Sequence, residues 1–303
     1  MRIAITTPTG NIGNRIVDQL IVGGHSLTLL ARDPSKLTSS VRSGTTVVQG
    51  TLDDPSAVAK AFTAAEAAFL LIPPPAIVPD WRAWQEAIGA NFIAAAKQAG
   101  VARVVLLSST GAQHEGLGPI SGLGAVEKAL NAALPNVVIV RAGYFMENTF
   151  GSFATIASLG AMYGVANGDL QQQVVATPDI ADVATRWLAD GSWTGHHTVG
   201  AHGPSTVSSN DMAAVLSEVL GRPVNYVQIP AAAYGQALLG AGLPEFIAKG
   251  YEAMSGGTAE HLQKGDFSQE PQSPASAGRI SFRDFAQQVL KPAYEAQFAA
   301  NAS

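Results

Sequence analysis

Short apolar runs alternate along the first half of the chain with longer stretches whose apolar residues recur at helical spacing. Strands are expected at Ile3–Thr6, Ser26–Ala31, Thr45–Gln49, Ala67–Ile72, Val104–Ser108 and Val137–Arg141. Between them, Asn11–Val22 carries Ile12, Ile16, Val17, Leu20 and Ile21 on one helical face. Further helices are expected at Pro55–Ala65, with Asp53 or Asp54 placed to cap it, at Trp81–Ala99, stopping at Gly100, and at Val126–Ala133. Strands apolar on both faces and separated by helices belong to a parallel sheet covered on both sides. The expected fold is α/β, a Rossmann-like doubly wound sheet.

The second half is less regular. A helix is expected from Thr177 through Ala184, with Asp179 near its N-terminus, and another at Asn210–Leu220, closed by Gly221. Strands are expected at His197–Val199 and Val224–Ile229, and a final helix at Ile280–Ala300. Residues 255–280, rich in Gly, Ser, Gln and Pro, read as a surface loop. The pattern implies a dinucleotide-binding domain over residues 1–145, joined by later elements from about 174–204. Residues 146–173 and 205–303 would then form a smaller C-terminal α/β lobe carrying the substrate pocket.

The turn after the first strand reads Thr7-Pro8-Thr9-Gly10-Asn11-Ile12-Gly13. Gly10 allows backbone to approach a pyrophosphate, and Gly13 allows the helix to pack closely on the strand, with the anion at the helix N-terminus. Following a strand and opening a helix, these glycines point to a dinucleotide. Thr7 stands where the usual turn has its first glycine, and Pro8 lacks a backbone donor. At the end of the second strand, Arg32, with Ser35 and Lys36, suits a 2′-phosphate, whereas Asp33 could serve a ribose hydroxyl. The expected cofactor is NADP(H), with NAD(H) second.

Composition narrows the rest. Of 303 residues, 47% are hydrophobic and 14% charged, so a large core is affordable. The net charge of -5 argues against a nucleic-acid partner, which needs a basic face. With no cysteine, disulfides, thiolate catalysis and cysteine metal sites are excluded. No apolar run approaches a membrane span and no leader pattern is present, so a cytoplasmic protein is expected. His196, His197 and His202 read as a surface turn, because adjacent strand residues point to opposite faces, and no metal is expected. Apolar helix faces are compatible with a homodimer.

These motifs resemble the NmrA-like group of atypical short-chain dehydrogenases. The resemblance includes Thr9–Gly13, Ala31–Lys36, Gln49–Asp54, Ser108-Ser109, Glu127, Arg141–Asn148, Thr177–Ala184 and Gly221–Val224. Within the group the chain looks most like the NADPH-dependent quinone and triphenylmethane dye reductases. The resemblance implies that Leu52 and Asp53 lie by the adenine, and that Ile72, Pro73, Pro74 and Ser108 pass along the cofactor. It also implies that the loop Tyr144–Asn148 borders the nicotinamide and the substrate.

Short-chain dehydrogenases commonly use a Tyr-x-x-x-Lys pair to deliver a proton. No tyrosine here has lysine four positions later. Anchored on Glu127, the lysine position falls at Leu123 and the tyrosine position at Pro119; anchored on Lys128, the tyrosine position falls at Gly124. Reduction of a quinone-like or other conjugated acceptor fits such a site, because the delocalised product takes its proton from solvent. Tyr144, Phe145 and Met146 would line a flat pocket, with Asn148 or Ser109 polarising an oxygen and His114 as a substitute proton donor. The alternative is a regulator that binds NADP(H) without turnover.

Overall fold

The structure, a computed structural model, describes residues 1–73, 78–270, 273 and 276–298. The first half runs β1 (Arg2–Thr6), α1 (Asn11–Val22), β2 (Ser26–Ala31), α2 (Ser39–Gly44), β3 (Thr46–Gln49), α3 (Pro55–Phe62), β4 (Ala67–Leu71), α4 (Trp81–Ala99), β5 (Arg103–Ser109), α5 (Pro119–Ala133) and β6 (Val137–Ala142). Next come β7 (Tyr144–Phe145), α6 (Phe153–Leu159), β8 (Ala161–Gly164), β9 (Gln172–Val175), α7 (Thr177–Ala189), β10 (His196–Ala201) and β11 (Thr206–Val207). The chain ends with α8 (Ser209–Leu220), β12 (Asn225–Gln228), α9 (Ala231–Gly240), α10 (Glu245–Lys264), α11 (Phe282–Phe285) and α12 (Lys291–Phe298).

The main sheet has the order β10-β6-β5-β4-β1-β2-β3, with every pairing parallel. Alternation along β1 sends Ile3 and Ile5 to one face and Ala4 to the other. The first face packs on α1 through Ile12, Ile16, Val17 and Leu20, and on α7 through Ile180, Val183, Ala184 and Leu188. Val58 and Phe62 of α3, Ile88 and Phe92 of α4, and Val126 and Leu130 of α5 cover the opposite face. Each such side chain contributes about 1.5–3 kcal/mol on burial. A third core joins Met146, Phe153, Ile156, Met212, Leu216, Phe282, Phe285 and Leu290 beneath two small sheets, β11-β9-β7 and β12-β8.

Several elements depart from the sequence expectation. Helix α5 starts at Pro119 rather than Val126: Gly118 at φ +51° turns the chain and Pro119 occupies the first helical position, where no donor is needed. Residues 255–264, expected in a loop, belong to α10, which ends at Gly265 in the left-handed conformation. The glycines of α10 serve packing rather than turning. A Cβ on Gly257 would lie 2.2 Å from Leu117, and one on Gly250 would lie 2.7 Å from the Trp81 ring. The last helical region begins at Phe282, capped by Ser281, and contains a π-helical turn over Ala286–Leu290. His202 is not in a surface turn. It is fully buried, bonded through its backbone to Ser276 and Gly278, because the segment after residue 275 is laid over the end of β10.

Candidate active site

The expected cofactor residues that fall within the described chain sit at or just beyond the carboxyl ends of parallel strands. Residues 7–13 follow β1, 32–36 follow β2, 52–53 follow β3, 72–73 follow β4, and Tyr144 follows β6. In a doubly wound sheet the ligand crevice lies at this edge, where strand order reverses, here between β1 and β4. The β1–β4 ladder ends at Ile5 opposite Phe69. Beyond it the Thr6 hydroxyl takes over, donating to the Phe69 carbonyl at 3.0 Å and accepting from the Leu71 N–H at 3.2 Å.

At the head of α1, Gly10 offers no side-chain cap and the first turn holds no acid. The opening N–H groups and the positive end of the helix dipole are therefore left for an anion. A Cβ on Gly10 would meet nothing nearer than the Thr7 carbonyl at 3.6 Å, so the space above it is free of protein. Gly13 is different: its Cβ would lie 2.1 Å from the Thr7 carbonyl oxygen, which explains the glycine by helix-to-turn packing. Thr7 adopts φ +52°, and its buried Oγ1 has no partner. A left-handed β-branched residue costs about 1–2 kcal/mol, and an unmade buried hydrogen bond costs about 1–3. Both are concentrated in the turn that faces the crevice. Thr9 and Asn11 are exposed there and Ile12 packs inward.

The loop after β2 separates the two candidates for the ribose. Asp33 Oδ1 accepts from the Ser35 N–H at 3.0 Å and the Ser35 hydroxyl at 2.6 Å, and these bonds hold its carboxyl below the usual carboxylate range. It caps its own turn. Arg32 and Lys36 are exposed, and their side chains make no hydrogen bond or ion pair with a described residue. Leu52 is half-buried, its carbonyl held by Asn91, and Asp53 is exposed. Ile72 is buried and Pro73 exposed, while Pro74 lies outside the described residues.

Ser108, expected along the cofactor, is at the end of β5. It is buried and donates to Glu127 Oε1 at 2.5 Å. Glu127 also takes a bidentate grip from Arg141, at 3.1 and 2.6 Å, while Arg141 reaches Glu270 at 2.7 Å and Gln113 at 2.9 Å. The hydroxyl is drawn into this buried network because two carboxylates around one guanidinium need every available donor. Ser109 is half-buried and donates to the neighbouring Thr110 carbonyl at 3.0 Å.

No group on α5 replaces the missing tyrosine. Pro119 is buried at the helix start, Leu123 is apolar, and a Cβ on Gly124 would lie 1.9 Å from the Ala112 carbonyl oxygen. The polar aromatic groups come instead from β7, β12, α9 and α10. Tyr144 has 41% of its surface open, yet the protein mass around its hydroxyl, helped by the Tyr234 and Tyr226 phenols, pushes its pKa up to about 12. Its ring is partly exposed while its hydroxyl is surrounded by protein and bonded to Asn148. Burial also raises Tyr226, Tyr234 and Tyr251, and Tyr251 meets Trp81 edge-on at 5.3 Å. Tyr226, Tyr234 and Tyr251 were invisible to motif reading; only their clustering in the C-terminal half was a signal. His114 follows β5 as expected, but its Nε2 lies 3.0 Å from the Asp266 carbonyl and its ring stacks on His261 at 3.7 Å. His196 and His197 bond to backbone carbonyls of Leu134 and Thr194, apart from one another.

No helix among the described residues is long and apolar enough to cross a membrane. The profile of the NmrA-like family matches residues 1–277. The chain is 30% identical to an NAD(P)H azoreductase of Xenophilus azovorans, over 81% of this chain and 83% of that protein. It is 31% identical to a (4-alkanoyl-5-oxo-2,5-dihydrofuran-3-yl)methyl phosphate reductase of Streptomyces griseus, over 78% and 80% of the two chains. Among solved structures, the NADPH-dependent quinone oxidoreductase QOR2 of Escherichia coli, complexed with NADPH, superposes with a TM-score of 0.81 at 22% identity, covering 96% of this chain and all of that one. The crevice at the reversal of strand order, the glycine turn and these likenesses agree: the chain belongs to the NmrA-like family.

Proposed function

We propose that this protein is a cytoplasmic NADPH-dependent reductase that delivers hydride to a conjugated small molecule, quinone-like or azo, without a side-chain proton donor on α5. The observation that carries this reading is the pairing of an open dinucleotide turn with an α5 whose two candidate tyrosine positions hold Pro119 and Gly124, the latter with no room for a side chain. The residues fit the cofactor. The uncapped α1 start and the unpaired Thr7 hydroxyl suit a pyrophosphate, and Arg32 with Lys36 suits a 2′-phosphate while Asp33 is occupied by Ser35. When bound, NADPH supplies the hydride.

The chain's own part is placement. Tyr144, Tyr226, Tyr234 and Tyr251 are the polar aromatic groups available to a flat acceptor, with their phenols kept neutral and Trp81 packed edge-on against Tyr251. Asn148, at the Tyr144 hydroxyl, orients that phenol toward an acceptor oxygen. A phenol held neutral can donate a hydrogen bond to an acceptor oxygen without giving up its proton, which suits a product that spreads its charge. The acceptors named for its relatives, an azo compound, an oxo-dihydrofuran and a quinone, are all of this kind. The test is NADPH oxidation by the purified chain with p-quinones and azo dyes, and cofactor binding titrated in the same preparation. Saturable oxidation is the expected result. Tight NADPH binding with no oxidation by any acceptor would replace the reductase with the regulator.

A further inference from the structure

Folding brings together three metal-ligating side chains that are far apart in the sequence. His114 lies in the segment after β5, His261 in the last turn of α10, and Asp266 just beyond the Gly265 cap. One ligand atom from each lies within 4.8 Å of the other two, and all three side chains are half-buried. His261 Nδ1 donates to Asp266 Oδ1 at 2.8 Å.

His114 Nε2 stands between two partners that no single tautomer satisfies. Gln113 Oε1 accepts from Arg141 and Gln113 Nε2 donates to the Phe267 carbonyl, so the amide is oriented and its nitrogen faces His114 Nε2 at 3.0 Å as a donor. The Asp266 carbonyl faces the same ring nitrogen at 3.0 Å as an acceptor. When Nε2 accepts from Gln113, the Asp266 carbonyl is left facing an acceptor, beside a carboxylate and a second imidazole. A cation is what such an arrangement lacks. The competing ammonium group nearby, Lys264, is ion-paired with Glu260.

We propose that His114, His261 and Asp266 form a site for a divalent transition metal of the zinc class. Two imidazole nitrogens and one carboxylate are the ligands such an ion takes, with a fourth position left to water, whereas calcium and magnesium prefer all-oxygen sites. Zinc sits about 2.0–2.1 Å from imidazole nitrogen, which spaces tetrahedral ligand atoms about 3.3 Å apart. The three candidate atoms lie within 4.8 Å of one another, and His261 Nδ1 and Asp266 Oδ1 stand at 2.8 Å, so that pair opens slightly as the ion enters. The rings are now 20° from parallel, and stacked imidazoles cannot both point lone pairs at one ion. One ring must turn, and the His261 proton must move from Nδ1 to Nε2, before the ion takes its place. The ion then ties the end of α10, which also carries Tyr251, to the segment after β5.

The test is calorimetric titration of the chelator-treated full-length protein with zinc chloride, in the wild type and in His261→Ala, Asp266→Asn and the control H196A/H197A. Folding of each variant is checked by circular dichroism and NADPH binding. One equivalent of zinc is expected to bind the wild type and the control alike, with affinity reduced at least about tenfold in each site variant. Zinc should also raise the Tm of the wild type and not that of His261→Ala. Absence of stoichiometric binding, or binding unchanged in folded His261→Ala and Asp266→Asn, overturns the proposal.

Discussion

Replacing Arg32 by glutamate isolates the claim that this loop reads a 2′-phosphate. Arg32 is exposed, its side chain makes no hydrogen bond or ion pair with a described residue, and it stands beside an Asp33 already bonded to Ser35, so the substitution breaks no fold contact. Two unit charges about 4 Å apart interact by about 1 kcal/mol in water and about 4 at the screening typical of a protein surface. Exposure places Arg32 toward the lower figure, and reversing its sign counts the interaction twice. NADPH affinity should fall roughly 30- to 1000-fold, while NADH affinity changes by less than about threefold, since NADH carries no 2′-phosphate. Fluorescence titration of both cofactors at two salt concentrations is the assay. The NADPH loss should shrink at higher ionic strength, because exposed charges are screened. Equal losses for both cofactors, or none for either, would refute the assignment.

Three further outcomes follow from other parts of the molecule. Gly124→Tyr, which restores a tyrosine on α5, should lower stability by about 3 kcal/mol or more through overpacking without creating ketone reduction, because even a Cβ there collides with the Ala112 carbonyl; a Tm equal to that of the wild type would contradict the packing. Arg141→Ala leaves Glu127 and Glu270 buried without their cation and should destabilise by about 3–5 kcal/mol in urea unfolding; a loss under about 1 kcal/mol would show that these carboxylates are not held as ions. Burial lowers the His202 pKa below its ordinary 6.5, so the unfolded chain binds the proton first. Its contribution is present above about pH 6.5 and is lost as pH falls below that value. His202→Leu should flatten that part of the stability–pH curve measured by thermal melts, and an unchanged slope would assign the acid sensitivity elsewhere.

The first half was legible because its signals are local. Strands apolar on both faces, Gly100 at a left-handed cap and the Gly10–Gly13 turn each announce a backbone demand within a few residues. The cleft was not. Helix α10 is half-buried over most of its length and carries glycines at contacts with Leu117 and Trp81, so neither an apolar stripe nor a glycine rule identifies it. Strands β7 and β11 are two residues each and exist only through pairing with β9. The diversion of Ser108 to Glu127, and the meeting of His114 with His261 and Asp266, depend on tertiary neighbours that no local pattern encodes. Arg32 and Asp33 were both visible candidates, with Arg32 preferred; the bonds that tie Asp33 to Ser35 were not visible.

The most direct measurement is a stopped-flow single turnover of the NADPH-loaded protein against a p-quinone and, in parallel, an unconjugated ketone, with protiated and 4-deuterated NADPH. Saturable reduction of the quinone with a primary isotope effect, and no reduction of the ketone, is the expected result. A loaded protein that reduces neither acceptor, or that reduces the ketone as readily as the quinone, would contradict hydride transfer without a proton donor on α5.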